Sequence, residues 1–289
     1  YLVTKLAEAV GNEVVYTLGE PDPDGSNPYG NVAFQDVTSK LDYSWLRGLQ
    51  RKAGRVFEYA QWEDVDWRRL GDPEVIITSG ATTRALLTPD DTLHINYCHS
   101  PPRWFYDLYH DRKRSLGGRV ARPLVRYLRM RDMTVDPRVD HYLANSPVIA
   151  RRLFKYYKRD AEVLYPPVEI EKYTENGDDG FYLHLGRLDV EKGVEAVVEA
   201  FERLEQRIVF AGGDGDAEVL ERIHAADNME YEGFVSEERK YELLSTCRAV
   251  VFNGRNEDFG IVPIEANASG KPCIARNDGF PGMYIRDGQ

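Results

Sequence analysis

Along the chain, short runs rich in Val, Ile, Phe and Tyr alternate with longer stretches in which apolar residues recur every three to four positions. In the first half, EVVYTL (13–18), RVFEYA (55–60), EVIITS (74–79), LHINYC (93–98) and DHYLANS (140–146) predict buried strands. In the second half, GFYLHLG, RIVFAGG, MEYEGF, RAVVFNG and KPCIARN predict further strands, while KGVEAVVEAFERL and FGIVPIEANA predict helices. The strand runs are continuously apolar rather than alternating, as expected of parallel strands covered on both faces. The expected fold class is therefore α/β: two doubly wound parallel-sheet domains whose strand carboxyl ends face a cleft, where such folds bind ligands.

Composition and charge refine this division. A chain of 289 residues with 42% hydrophobic content is long enough for two cores. The two prolines and polar, Gly-containing run of YPPVEIEKYTENGDDG mark a linker, giving domains at 1–165 and 179–289 joined by 166–178. Residues 1–165 carry 24 Lys and Arg against 22 Asp and Glu, whereas 166–289 carry 13 against 26, so the net charge of −11 resides in the second half. No run approaches the roughly 18 apolar residues of a membrane span. The cysteines, Cys98, Cys247 and Cys273, show neither C-x-x-C nor Cys/His spacing, which argues against a disulfide framework or a zinc site and fits a reducing cytoplasm. The opening YLVTKLAEAVGNEVVYTLG reads as a helix tail entering a strand, with no signal peptide, and suggests a fragment.

The richest chemistry lies in GRNEDFGIVPIEANASG (254–270). RAVVFNGRN predicts a strand and loop, and FGIVPIEANA a helix whose first turn tolerates Pro263 and whose Gly260 lets a ligand approach the backbone. Amides at a helix start suit a phosphate or a sugar hydroxyl. Glu257 precedes that start and Glu265 lies about two turns inside. The two acids therefore address different parts of one extended ligand.

In its E-x7-E spacing from Glu257 to Glu265, within EDFGIVPIEANASGKPCIA, the chain resembles the retaining GT-B glycosyltransferases of the family 4 type. LHLGRLDVEKGVEAVVEAF resembles the GRL…EKG segment of that family, and YCHSPPRWFYDLYH is similar to the YCHTP-R segment of its GDP-mannose-using mannosyltransferases. DHYLANSPVIARRLFKYYKRDAEVLYPPV matches the segment before their interdomain crossover. The resemblance implies two Rossmann-like domains and a metal-independent hexosyltransferase with no cofactor. It assigns Arg187 and Lys192 to the donor diphosphate, Gly186 to donor binding and Glu257 to the transferred sugar. Asp258 goes to donor binding, the amides of Phe259, Gly260 and Ile261 to sugar hydroxyls and phosphate, Glu265 to the ribose, and the backbone around Val235 to the base. His99, Glu257, Arg187 and Lys192 form the expected catalytic set, with His99 facing the sugar. The family carries further structure at both ends, so a chain trimmed at both ends is expected, with Met283 where many relatives have glutamate.

Other motifs carry alternatives. The paired glutamates also suit a solvated helix start, Arg187 and Lys192 surface charges around a turn, and His99 a satisfied core histidine. FAGGDGDAE resembles half of a G-x-G-x-x-G fingerprint but has Glu218 at the last glycine. DPD (22–24) reads as a Pro-bearing turn and DVD (64–66) as a helix start before WRRL; no metal is assigned. Arg103 to Arg131 holds nine Lys/Arg against two acids, and Arg119, Arg122, Arg126 and Arg129 share one helical face. That face reads either as a solvated surface or as a dock for an anionic acceptor or an anionic membrane surface; nucleic acid is not expected. The expected function is transfer of a hexose, mannose, from a nucleotide-sugar, GDP-mannose, to a glycan or lipid-linked glycan on the cytoplasmic side. A non-catalytic nucleotide-sugar-binding subunit and a glycoside hydrolase are the alternatives.

Overall fold

A computed structural model describes residues 2–11, 14–18, 32–37, 57–112, 122–213 and 215–288. The chain divides into two compact units, 1–167 and 168–289.

In the first unit the helix Leu2–Ala9 precedes β1 (Val14–Thr17), which pairs in parallel with β2 (Ala33–Asp36). A parallel sheet follows, made of β3 (Val75–Ser79), β4 (Leu93–Cys98), β5 (His141–Ala144) and β6 (Glu162–Val163), in that order. After β5, Ser146 caps the helix Pro147–Tyr157 by accepting from the Ile149 amide at 3.3 Å, with proline at the first helical position. That helix buries Ile149 and Leu153 against Tyr142 and Ala144 of β5. Fully burying side chains of this size contributes about 1.5–3 kcal/mol each.

Residues 55–60 are not the strand that their apolar content predicts: 57–63 are helical. The contacts explain the difference. Tyr59 bonds to Asp132, and Glu63, four positions on, pairs with Arg131 and Arg138 at 2.5 and 2.6 Å. Trp62 packs against the same buried cluster as Tyr59; a helix places 59, 62 and 63 on one side, whereas a strand would turn 59 and 62 to opposite faces. The strands β2 and β6 were not anticipated; β2 is mostly exposed and β6 has two residues, so neither carries an apolar run. Asp66 caps the short 3-10 helix Trp67–Leu70 through the Arg68 amide, as the reading of DVD expects. DPD lies outside the described residues.

A buried polar brace joins the elements of this unit. Asp132 is fully buried and accepts from Arg84, from Tyr59 Oη at 2.8 Å, from Tyr106 Oη at 2.6 Å and from Tyr157 Oη at 2.5 Å. A buried carboxylate is tolerated when paired and fully hydrogen-bonded, and this one is. His94 is likewise a core histidine. The Arg138 carbonyl can only accept, so Nδ1 donates to it at 2.9 Å; with the ring neutral, Nε2 accepts from Thr78 Oγ1 at 2.9 Å. Burial holds its pKa below the usual range, favouring the same state.

The second unit is one parallel sheet of order β11-β10-β7-β8-β9. Its strands are β7 (Phe181–Leu185), β8 (Arg207–Ala211), β9 (Met229–Gly233), β10 (Ala249–Phe252) and β11 (Cys273–Ala275). The helix Val194–Phe201 buries Val194, Val197, Val198 and Phe201, a spacing that places one stripe on the sheet. With Ile208 and Phe210 these residues fill one face; Leu183, Val209 and Val250 meet Leu244 and Ala266 on the other. Burial on both faces is the physical source of the continuously apolar strand runs.

Candidate functional site

In the second unit β7 lies between β8 and β10, so the chain leaves β7 toward one side and later returns on the other. The carboxyl end of the β7/β10 pair is therefore the switch point where a doubly wound sheet opens a crevice. The ladder between these strands ends at Val250 and Leu183. Beyond it the His184 side chain continues the link, its Nδ1 donating to the Val251 carbonyl at 3.1 Å. His184 is 2% exposed, and its Nε2 has no hydrogen-bond partner among the described residues. Burial pushes its pKa down to about 4, and the nearby Lys192 charge acts in the same direction.

The loops above this opening are interlocked through glycine. Gly186 donates to the Ala211 carbonyl at 2.9 Å, Leu188 to Gly213 at 3.2 Å, and Asp216 to Leu188 at 3.0 Å. A Cβ on Gly212 would lie 2.1 Å from the Gly186 carbonyl oxygen. Gly212 and Gly215 of FAGGDGDAE thus serve a crossing of two backbones, which accounts for them without a dinucleotide fingerprint.

A second set of tethers joins the β7 loop to the β10 loop. Asn253 Nδ2 donates to the Gly193 carbonyl at 2.8 Å, and the Arg255 amide to the Glu191 carbonyl at 3.2 Å. Between them the Lys192 ammonium lies 2.8 Å from Glu257 Oε2, the side chains being 26% and 21% exposed. Arg187 projects outward and pairs with Asp189 at 3.1 Å. Asp258 is half-buried beside Glu257.

Immediately after these acids, Gly260 opens the helix Ile261–Ala268 at φ +76°, with no side chain capping that end. The next positions, Ile261 and Val262, carry the first helical amides, and Pro263 has none to leave unpaired. Phe259 stacks on Phe280 at 5.5 Å, and Tyr284 Oη donates to the Gly260 carbonyl at 2.7 Å. The start of the helix is therefore held rigidly while its amide end stays uncapped. Such an end favours an anion.

Glu265 lies deeper. Its Oε1 accepts from Tyr173 Oη at 2.7 Å and from Lys240 Nζ at 3.1 Å, and both donors come from elements distant in sequence. Val235, after β9, is half-buried against the core, and the preceding Phe234 is almost fully exposed. The structure thus gathers Gly186, Arg187, Lys192, Glu257, Asp258, Phe259, Gly260 and Ile261 at one sheet end, with Glu265 inside the following helix. Met283 is exposed.

His99 belongs to the first unit. It is exposed at the end of β4, its Nε2 2.8 Å from Ser79 Oγ at the end of β3, with the Tyr97 ring edge-on at 5.2 Å. The satisfied core histidine of this sheet is His94, not His99.

The four arginines do not form one free cationic face. Arg119 lies outside the described residues. In the helix Arg122–Val135, Arg129 donates through Nε to the Phe105 carbonyl at 2.7 Å and stacks on Tyr109 at 4.8 Å, while Arg122 is partly buried. Arg126 is exposed. The outward side is instead largely apolar, with Met130 66% exposed beside exposed Leu124, Tyr127 and Met133. The spacing placed the arginines on one face, but helical periodicity does not say which side chains find backbone partners.

Sequence reasoning passed over Tyr173, Lys240, Asn253, Phe280 and Tyr284. Their partners are far away in the chain, and only Gly279 in NDGFPG left a local signal. A Cβ there would lie 2.4 Å from the Glu257 amide nitrogen, so glycine is needed where that segment crosses the acidic loop.

Together these features define an α/β chain of the GT-B glycosyltransferase fold. Over 99% of this chain and 76% of the other, it superposes on the sucrose-phosphate synthase of Thermosynechococcus elongatus with a TM-score of 0.68 at 19% identity. Residues 167–289 match the family described as "Glycosyl transferases group 1". The chain is 29% identical over 164 residues to the O-antigen chain mannosyltransferase C of Escherichia coli, covering 51% of this chain and 44% of that protein. It is 26% identical over 222 residues to the human Alpha-1,3/1,6-mannosyltransferase ALG2, covering 64% and 51%. The chain thus spans about half the length of the curated relatives it matches. Among the described residues no helix is long and apolar enough to cross a membrane, and no cluster of three metal-ligating side chains occurs.

Proposed function

We propose that this chain belongs to a retaining hexosyltransferase that moves mannose from GDP-mannose to a hydroxyl of a glycan or lipid-linked glycan. The observation that carries the reading is the convergence, at the β7/β10 switch point, of Arg187, Lys192, Glu257 and the uncapped helix start at Gly260–Ile261. Two cations and backbone amides suit a departing diphosphate, and a carboxylate suits sugar hydroxyls. Glu265, braced through one oxygen by Tyr173 and Lys240, is assigned to the ribose, and the Val235 backbone to the base. His99, exposed at its strand end, is assigned to the transferred hexose.

In this reading the C–O bond to the diphosphate breaks as the acceptor oxygen bonds to the anomeric carbon on the same face, and the leaving phosphate oxygen takes the acceptor proton. Arg187, Lys192 and the amides of the helix start stabilise the charge that develops on the diphosphate. The mannosyltransferase names of the relatives support mannose as the hexose. The exposed Leu124, Tyr127, Met130 and Met133, with Arg126 on the same helix, suit peripheral contact of the first unit with an anionic lipid surface that carries the acceptor.

Calorimetry with GDP, UDP, ADP and their sugars tests the donor. GDP and GDP-mannose are expected to bind most tightly. Arg187→Ala and Lys192→Ala should each weaken diphosphate binding by roughly 1.5–3 kcal/mol, the range for hydrogen bonds to charged groups. Unchanged affinity in the double variant would end the assignment.

A further inference from the structure

The cation assigned to the diphosphate and the carboxylate assigned to the sugar are already bonded to one another. Neither side chain reaches across open solvent to do so. The Asn253–Gly193 and Arg255–Glu191 bonds hold the two loops together on either side of the pair. Phe280 donates to the Glu257 carbonyl at 3.0 Å, and Gly279 lets that segment pass against the Glu257 backbone. Gly254 completes the arrangement: a Cβ there would stand 2.7 Å from Glu257 Oε2. The backbone therefore presents Lys192 and Glu257 to each other.

We propose that Glu257 is a specificity-determining residue that discriminates a diphosphate bearing a sugar from the bare nucleoside diphosphate, by competing for Lys192. This deepens the donor reading of the same site and rests on it. A bare diphosphate must displace the carboxylate from the ammonium and then tolerate its negative charge nearby. That cost falls on the leaving product. A nucleotide-sugar meets the same competition but brings hydroxyl donors, so the displaced carboxylate exchanges one hydrogen-bonded partner for another. The pair thus weakens retention of the product and leaves affinity for the donor largely intact. Differential binding of this kind requires a group whose interaction free energy differs between the two ligands, and Glu257 is placed to be that group.

The experiment is calorimetric titration of the full chain with GDP and GDP-mannose, and with UDP and UDP-glucose as a second pair. Glu257→Gln keeps the side-chain volume and removes the charge. It should tighten binding of the bare diphosphate by about three- to tenfold, in keeping with loss of a half-buried ion pair, while tightening the sugar-bearing ligand less or weakening it. In a Lys192→Met background the same change should have a much smaller effect on the diphosphate. Unchanged or weaker diphosphate binding by Glu257→Gln overturns the proposal while leaving the donor reading in place, as does equal tightening of both ligands. If wild type and variant bind none of the four probes, the donor reading fails, and the proposal with it.

Discussion

Tyr173 Oη donates to Oε1 of Glu265 at 2.7 Å across 92 residues of chain, and Lys240 Nζ reaches the same oxygen at 3.1 Å. The carboxylate is buried, and its partners are one ammonium and one hydroxyl. Tyr173→Phe is expected to lower stability by about 1–2 kcal/mol, as for loss of one hydrogen bond to a charged group. Lys240→Met should cost more, about 2–4 kcal/mol, because it leaves a buried charge without its counter-charge. Urea denaturation of the two variants checks the order. A smaller loss for Lys240→Met would mean that the hydroxyl, not the ammonium, supports Glu265.

The crossing of Gly212 over Gly186 predicts a sharp contrast between glycines. Gly233→Ala adds a Cβ with nothing within 4 Å at φ +71° and should cost only the left-handed backbone penalty of about 1–2 kcal/mol. Gly212→Ala drives its Cβ onto a backbone oxygen and should cost about 3–4 kcal/mol or more. Thermal melts of both variants, read alongside diphosphate affinity, test whether the interlock also positions Arg187.

Acid sensitivity should be traceable to His184. Its pKa is near 6.5 in an unfolded chain and about 4 in the fold. Between those values the unfolded state binds more protons, so stability falls as pH drops from about 6.5 to 4 and is level outside that window. The contribution lost is about 3 kcal/mol. His184→Gln keeps a donor for the Val251 carbonyl and cannot charge. Denaturation midpoints at pH 7 and pH 4.5 should therefore differ less in the variant than in wild type; an equal difference would place the acid lability elsewhere.

In the first unit the Arg84–Asp132 pair predicts severe loss when one partner is removed alone. Asp132→Leu leaves a buried guanidinium facing tyrosine hydroxyls and should destabilise by about 3–5 kcal/mol. Arg84→Met with Asp132→Leu should recover part of that loss, because the guanidinium no longer stands buried without the Asp132 carboxylate, and Asp136 keeps Arg159 at 3.9 Å. A double variant as unstable as the Asp132 single would show that the tyrosine network, not the charge, is what matters.

The lipid-surface reading predicts flotation with phosphatidylglycerol vesicles that weakens as salt rises, since the Arg126 field is screened over roughly 8 Å at physiological ionic strength. Met130→Ser with Met133→Ser should lower flotation at every salt concentration, whereas Arg126→Gln should flatten its salt dependence. No flotation by wild type would leave this helix face as solvated surface.

Much of the strand framework was legible in the chain because parallel strands covered on both faces must be continuously apolar, as in FYLHL and RIVFA. Residues 57–63 misled for the same reason. A short run of Val, Phe and Tyr fits a strand or a buried helix, and only tertiary contacts that gather Tyr59, Trp62 and Glu63 on one side selected the helix. The acids and cations of the candidate site were legible as types and spacings, since Glu257, Gly260 and Glu265 sit in one continuous stretch. Their occupancy was not. Lys192 and Glu257 bond each other across 65 residues, and Arg129 spends its guanidinium on the Phe105 carbonyl. By itself the sequence determined the periodicity, the turn glycines and the order of charged groups, because these are local properties of the chain. Which cation meets which carboxylate was decided only by tertiary structure, because a long side chain takes its partner from whatever backbone the sheet order brings beside it.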